Sequence, residues 1–159
     1  MVKYKVDKVI WISILIVAFL AFQDLIGMQM WGLLGGFSGE AYTKASSLYM
    51  KQFWNFAYFT IAVVALTFYF MRKDKSEAIA LAVIPWILLQ SGLEDIMYYM
   101  FGRFAFFGQT MPWLYKNCPF MMIVSQALGE TTVTSTTLLV SAGLGVIIAY
   151  FVYKFLRKI

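Results

Sequence analysis

Histidine is absent from this sequence of 159 residues, and cysteine occurs once, as Cys118. Without histidine the chain has no histidine-ligated haem or zinc, no di-iron site of the Glu-x-x-His type and no histidine general base. A single cysteine excludes a disulfide and a thiol–disulfide exchange pair within the chain. We therefore predict no cofactor and no metal-ligand set.

Charged residues are also scarce. They make up 13% of the sequence, and hydrophobic residues make up 62%. Average soluble domains have about 25% charged and about 45–50% apolar residues. The composition therefore predicts a polytopic membrane protein, and the length leaves room for a single membrane domain over residues 1–159. The net charge of +5 is modest, and nothing in its placement indicates nucleic acid.

Four segments are apolar enough to span a membrane, which takes about 20 residues. They run over about 9–33, 53–71, 78–101 and 133–156. We predict an all-α bundle of four transmembrane helices. Pro85 is expected to kink the third helix. The segment "GGFSGEAYTKASS" is predicted to be an outer loop after the first span.

A long outer loop is predicted between the third and fourth spans. It contains "PFMMIVSQAL", which is too short to cross a membrane and begins with a proline, Pro119. Proline is favoured at the first position of a helix. We expect a short re-entrant or interfacial helix here.

The placement of Lys and Arg predicts the orientation, since these residues favour cytoplasmic loops. With a cytoplasmic N-terminus, nine of the 13 lie inside and four outside. The inner set is Lys3, Lys5, Lys8, Arg72, Lys73, Lys75, Lys154, Arg157 and Lys158, and the outer set is Lys44, Lys51, Arg103 and Lys116. We predict an integral protein of a prokaryotic plasma membrane with both termini cytoplasmic.

Three carboxylates are expected at one depth of this bundle. Asp24 lies about 22 Å along the first helix from Val9, and Glu94 lies about 24 Å along the third from Ala78. Both then fall in the outer third of a hydrocarbon layer about 30 Å thick, with Asp95 beside them. No Lys or Arg lies within the spans near these acids. Charged groups at such depth are costly and are usually functional.

The predicted site contains three acids and the side chains expected at their level. Gln90, Glu94 and Tyr98 share one face of a continuous helix, because they are spaced by four residues. We predict Glu94, Asp95 and Asp24 as catalytic acids, with Glu94 as the principal one. The predicted substrate-binding residues are Gln90, Tyr98, Tyr99, Trp86, Asn55, Tyr58 and Thr134. Two alternatives remain open: hydrated acids at the outer interface, and a structural hydrogen-bond network between helices.

Small residues in the fourth span indicate close helix packing. Ser141 and Gly145 form a small-xxx-small pair, which lets two helix backbones approach. The partner is expected to be another helix of the same bundle. A homo-oligomer or a larger membrane complex is the alternative.

Two resemblances bear on the acids. "LEDIMYY", Leu93–Tyr99, resembles the element of integral-membrane carotenoid (lycopene) cyclases in which two acids precede paired aromatic residues. Gly92 departs from that pattern, because the family usually has a proline nearby. The architecture is similar to that of four-helix sterol isomerases and the sigma-2 receptor group. Those proteins carry an aspartate late in helix 1 and Glu-Asp late in helix 3, as in "FQDLIG" and "LED" here. The catalytic histidine of the isomerase has no counterpart.

Both resemblances imply the same chemistry. A buried acid protonates a carbon–carbon double bond of an isoprenoid or sterol, and carboxylates and aromatic faces stabilise the carbocation. Our leading hypothesis is therefore a cavity for a lipid or isoprenoid, with acid-catalysed isomerisation or cyclisation as its reaction. A second is a cation- or proton-binding component of a transporter or channel, since oxygen ligands suit hard cations. A third is an accessory subunit of a larger membrane complex.

Overall fold

The computed structural model describes residues 6–35 and 40–158, which form seven helices. They are α1 (Val6–Gly35), α2 (Glu40–Arg72), α3 (Lys75–Gln90), α4 (Leu93–Gly102), α5 (Pro112–Asn117), α6 (Pro119–Ala127) and α7 (Ser135–Leu156). The described ranges contain no strand, only an isolated bridge between Thr110 and Thr134. The all-helical prediction is confirmed there. Lys3 and Lys5 of the predicted inner set lie outside the described residues.

Three helical stretches are long and apolar enough to cross a membrane. They are Lys8–Gln29 in α1, Leu48–Arg72 in α2 and Ser135–Leu156 in α7. α3 and α4 together pass the same test, but they enclose a bend of 67°. The described residues thus contain three candidate spans, or four if the bent pair crosses as one unit.

α2 begins well before the predicted start of the second span at residue 53. The segment predicted as a polar outer loop is helical from Glu40 onward. Its "EAYTKASS" contains Glu, Lys and two Ala, all of which favour helix. Polarity marks where the apolar span ends, and it does not by itself end the helix. The loop prediction was therefore wrong for residues 40–47.

The third predicted span is broken at Ser91 and Gly92, and Pro85 does not break it. α3 continues as helix through the buried Pro85. Gly92 has a φ of 85°, and a Cβ at this position would overlap Leu138 of α7 and Met121 of α6. Only glycine meets both demands at low cost. Tertiary contacts therefore select Gly92 as the break, and the kink expected at Pro85 stays a prediction.

Each of the last four backbone carbonyls of α3 accepts a hydrogen bond. The Ser91 and Gly92 amides donate to the carbonyls of residues 87 and 89, at 3.0 and 3.1 Å. The Ser91 hydroxyl donates to the carbonyl of residue 88 at 2.8 Å. The Cys118 thiol, from the α5–α6 junction, donates to the Gln90 carbonyl at 2.9 Å. A helix can end inside an apolar environment when its carbonyls are satisfied in this way.

Replacing Gly92 by alanine is expected to destabilise the protein by about 2 kcal/mol or more. The left-handed backbone costs roughly 1–2 kcal/mol for a residue with a Cβ, and overpacking adds about 1–3 kcal/mol. Gly129→Ala is the matched control, because its φ is 74° but a Cβ there has nothing within 4 Å. Thermal unfolding in detergent should show a clearly larger loss for Gly92→Ala. Equal losses would contradict the packing contribution.

α3 lies at the centre of the helix packing, in contact with α1, α2 and α7. A cluster of buried apolar side chains from these four helices forms the main core. Gly145 of α7 is buried against Ser91, whose side chain would overlap a Cβ at that position. The small-xxx-small pair of α7 therefore packs within the chain, as expected.

A second, smaller core joins α5, α6 and the start of α7. Met111, Cys118 and Met121 are buried in it, together with Leu138 at the start of α7. α6 is the short helix predicted in the long loop, and it begins with Pro119 as expected. Its position relative to a membrane stays a prediction.

The Cys118 thiol is expected to react slowly with N-ethylmaleimide. The side chain is buried, and its burial raises the pKa above the usual range of a thiol. The thiolate is the reactive species, so a raised pKa leaves less of it at neutral pH. Alkylation should be faster in dodecyl sulfate than in the folded protein, and faster as the pH is raised. Equal rates in the folded and unfolded chain would contradict the burial.

Candidate functional site

Three helices contribute polar side chains to a site in the C-terminal half of α1. α1 supplies Asp24, α2 supplies Tyr49, and α4 supplies Glu94 and Asp95. Electrostatic interactions link Glu94 to both aspartates, and link Tyr49 to Asp24 and Glu94. The predicted meeting of the first and third spans at these acids is therefore present in the structure. We refer to Asp24, Tyr49, Glu94 and Asp95 as the carboxylate cluster.

The bend between α3 and α4 explains how the acids stay together. Because α4 is inclined by 67° to α3, its residues rise only slightly along the axis of α3. α4 instead packs along α1, and Phe101 near its end makes an edge contact with Phe22, at 6.3 Å between ring centroids. The acids of α4 therefore remain near α1, which contributes Asp24.

Asp24 is held by a tyrosine that the sequence did not single out. The Tyr49 hydroxyl donates to Asp24 Oδ1 at 2.6 Å and lies 3.1 Å from the Asp24 carbonyl oxygen. Gly27, three residues along α1, makes room for the ring, because a Cβ there would overlap it. Tyr49 precedes the predicted span but lies in the buried row of α2, four residues before Phe53. The four-residue spacing between Tyr49 and Phe53 is the sequence feature that could have indicated that Tyr49 is buried.

Glu94 is the most deeply enclosed of the three acids. Its exposed fraction is 7%, and its Oε1 atom is buried without a hydrogen-bond partner. Gln23 Oε1, next to Asp24 in sequence, is also buried without a hydrogen-bond partner. Buried polar atoms nearly always have partners, so an unpartnered carboxyl oxygen requires an explanation. Within the described residues, the electrostatic interactions of Glu94 come from two other acids and from tyrosines, and none comes from a cation.

Aromatic rings adjoin the cluster along α4 and the loop after it. Tyr98 interacts electrostatically with Asp24 and Glu94, and Tyr99 interacts with Asp95. The two tyrosine rings lie 5.8 Å apart and continue into Phe104, which is 5.6 Å from Tyr98. The predicted aromatic neighbours Tyr98 and Tyr99 are therefore beside the acids.

Gln90 does not share a face with Glu94, because the helix break separates them. Its side-chain oxygen lies 3.7 Å from Cys118 Sγ, and its carbonyl accepts the thiol hydrogen bond. The expected row of Gln90, Glu94 and Tyr98 required a continuous helix. That prediction was wrong because of the break at Gly92.

Three other predicted binding residues point out of the packed helices. Asn55 is exposed, and Tyr58 and Trp86 have exposed fractions of 47% and 45%. Tyr58 packs on Trp54 along the outside of α2. The buried face of α2 instead contains Tyr49, Phe53 and the small residues that follow them. These three side chains therefore lie on exposed faces of α2 and α3, since depth along a helix does not fix its rotation, and their roles in ligand binding stay predictions.

Thr134 is engaged in the start of α7. Its hydroxyl accepts from the Thr137 amide and donates to the carboxylate of Glu130 at 3.0 Å. Thr137 also donates to Glu130. This is the pattern of a helix N-cap, with the acid complementing the helix dipole. The structure therefore gives Thr134 a capping role, and the predicted role in ligand binding gains no support from these contacts.

An apolar groove involves α1 residues that lie nearer the N-terminal end of this helix than Asp24 does. It has a volume of about 410 Å³ and lies between α1, α3 and α7. Its lining residues are all apolar or aromatic: Ile10, Ile14, Ile84, Leu88, Val146, Ile147, Ala149, Tyr150 and Phe151. Ile10 and Ile14 lie on one face of α1, four residues apart.

The cluster does not have the geometry of a metal site. Among the described residues, no three Cys, Asp or Glu side chains come together closely enough to hold a metal ion. The cation- or proton-binding alternative stays a prediction.

No family model, no curated protein and no solved structure matches this chain.

Proposed function

We propose that this chain is a four-span membrane protein that binds a lipid or isoprenoid and acts on it by acid catalysis at the carboxylate cluster. The observation that carries the proposal is Glu94, which has an exposed fraction of 7%, an unpartnered carboxyl oxygen and electrostatic interactions with two further acids. A site of this kind, with no cation among the described electrostatic partners of Glu94, suits proton transfer in a dry environment. The resemblance of Leu93–Tyr99 to the carotenoid cyclase element supports the same chemistry.

The groove supplies the space for an elongated ligand. Ile10 at its inner end and Asp24 at the cluster are separated by about 21 Å of helix. A linear apolar chain of about this length would lie along α1 with one end at Glu94. Because the groove lining is apolar and opens sideways between α1 and α7, the ligand would enter from the membrane.

The reaction begins with the Glu94 carboxyl as the acid. Its proton adds to one carbon of a double bond, so that the Glu94 O–H bond breaks and a C–H bond forms. The neighbouring carbon becomes a cation, which the faces of Tyr98 and Tyr99 stabilise. A neighbouring carboxylate then removes a proton from the adjacent carbon, and a shifted double bond results. Proton exchange among the carboxyls restores the Glu94 acid, so an isomerisation consumes no external acid.

Lipid extraction from gently purified protein tests the binding. An elongated apolar molecule should be enriched over the host membrane lipids in native mass spectrometry. Val146→Trp, which fills the groove, should release it. Ile148→Trp is the matched control, because it lies on α7 outside the groove lining. Lipids in host proportions for all three proteins would reject the binding proposal, and a co-purified partner chain would favour an accessory subunit.

The proposed orientation places the turn between α2 and α3 in the cytoplasm. Cysteines at exposed positions 74 and 131, in a Cys118→Ser background, report on the two sides. Asp74→Cys should react only with a membrane-permeant maleimide in sealed cells, and Thr131→Cys should react with an impermeant one. The reverse pattern would reject the orientation while leaving the helix packing intact.

A further inference from the structure

Asp24 of α1 and Glu94 of α4 differ in their hydrogen bonds. Asp24 Oδ1 accepts from the Tyr49 hydroxyl at 2.6 Å. Glu94 Oε1 has no donor. A hydrogen bond to a carboxylate favours its charged form, and a carboxyl without donors has no such support. The structure is therefore asymmetric, although both residues are acids that share one apolar site.

We infer that Tyr49 is a positioning residue that holds Asp24 as the proton acceptor of the cluster, so that the exchangeable proton resides on Glu94. This inference rests on the proposed function and assigns the two halves of its proton transfer. Glu94 donates the proton to the ligand carbon, and Asp24 receives the proton that leaves the adjacent carbon. The Tyr49 hydroxyl stays a donor throughout and is not consumed.

Gly27 makes room for the Tyr49 ring that donates to Asp24. A Cβ at position 27 would lie 2.7 Å from one ring carbon of Tyr49 and would also overlap its hydroxyl. The overlapping atoms belong to the end of a side chain, so the ring can move away without unfolding the helix. Glycine at this position thus permits the contact between Tyr49 and Asp24. Its replacement by alanine offers a second way to break the contact without changing either partner.

A hydrophobic carbodiimide tests the assignment without knowledge of the ligand. Dicyclohexylcarbodiimide adds to a carboxyl group that carries its proton, and peptide mass spectrometry locates the adduct. In the wild-type full chain in lipid nanodiscs, Glu94 should be modified and Asp24 should remain almost free. In Tyr49→Phe, modification of Asp24 should rise by about tenfold, the effect of losing one hydrogen bond to a charged group.

Gly27→Ala should give the same rise at Asp24 as Tyr49→Phe. Two controls should leave the adduct pattern unchanged. Tyr69→Phe removes a hydroxyl near the other end of α2, and Gly143→Ala adds a methyl group where nothing lies within 4 Å. A purely structural tie between α1 and α2 would lower thermal stability in Tyr49→Phe and leave the adduct sites as in the wild type.

Absence of an Asp24 adduct in both Tyr49→Phe and Gly27→Ala overturns the inference, whatever happens at Glu94. Strong modification of Asp24 already in the wild type overturns it as well. Neither result tests the proposal of lipid binding, which depends on lipid retention in the groove variants. Conversely, loss of the lipid result with the expected adduct pattern would remove the proposed function and leave the roles of Tyr49 and Asp24 as proton chemistry of another kind.

Discussion

Glu94→Gln is expected to abolish proton transfer to the bound ligand while the protein remains folded. Glutamine keeps the size of the side chain and most of its hydrogen-bonding capacity, but it has no ionisable proton. Removal of a general acid typically costs about 10²–10⁴-fold in rate. Because Glu94 is almost fully buried, water would not readily replace it. The loss should therefore lie at the upper end of this range.

The measurement uses deuterium, so that no product needs to be known in advance. Protein with its co-purified lipid is incubated in D₂O, and the lipid is extracted and weighed by mass spectrometry. Protonation of a double bond followed by loss of a different proton places deuterium on carbon, where it does not exchange back. Wild-type protein should give a mass shift, and Glu94→Gln should give none over the same time.

Thermal stability separates this result from a structural effect. Glu94→Gln should unfold within a few degrees of the wild type, because an uncharged amide is no harder to bury than an unpartnered carboxyl. Glu94→Leu is the second control, since it removes the polar atoms altogether. Equal deuterium incorporation in wild type and Glu94→Gln would contradict the acid role and leave Glu94 as a structural group.

Gly145→Val is expected to destabilise the protein by about 3 kcal/mol and to lower its melting temperature by roughly 6–12 °C. Even a single Cβ at this position would overlap the Ser91 side chain. Ser91 cannot move freely, because its hydroxyl and amide satisfy two carbonyls at the end of α3. α7 would have to move away from the break between α3 and α4, and one wall of the groove would move with it.

Gly143→Val is the matched control for this substitution. It makes the same change on the same helix, two residues away, where a Cβ meets nothing within 4 Å. Its melting temperature should stay close to that of the wild type, since valine is no worse than glycine in a helix. Similar losses for both variants would show that the effect comes from the residue type and would contradict the close approach of α7 to Ser91.

Part of the site followed from the sequence. Asp24 on the first span and Glu94 on the third were expected at one depth, and their interaction is present in the structure. Depth is set by the number of helical residues from the end of an apolar run, which counting along the sequence provides. Tyr98 and Tyr99 were found by the same reasoning, because they follow the acids directly on α4.

Other parts of the site required the packing of the helices. Asn55, Tyr58 and Trp86 lie at plausible depths but point outward, and Tyr49 lies before the predicted span yet contacts Asp24. In a soluble helix, the apolar stripe reveals which side faces the core. In these helices both the lipid side and the core side are apolar, so hydropathy does not reveal their rotation.

The sequence by itself determined that the chain is helical and rich in candidate membrane spans, because long apolar runs in a membrane leave the backbone only internal hydrogen bonds. It also determined which acids are available and roughly at what level. The tertiary structure decided that Gly92 and not Pro85 breaks the third segment, since Leu138 and Met121 leave no room for a Cβ there. It likewise decided that the Tyr49 ring packs against Gly27 and that its hydroxyl donates to Asp24. Both outcomes depend on contacts between residues far apart in the chain, which no local pattern specifies.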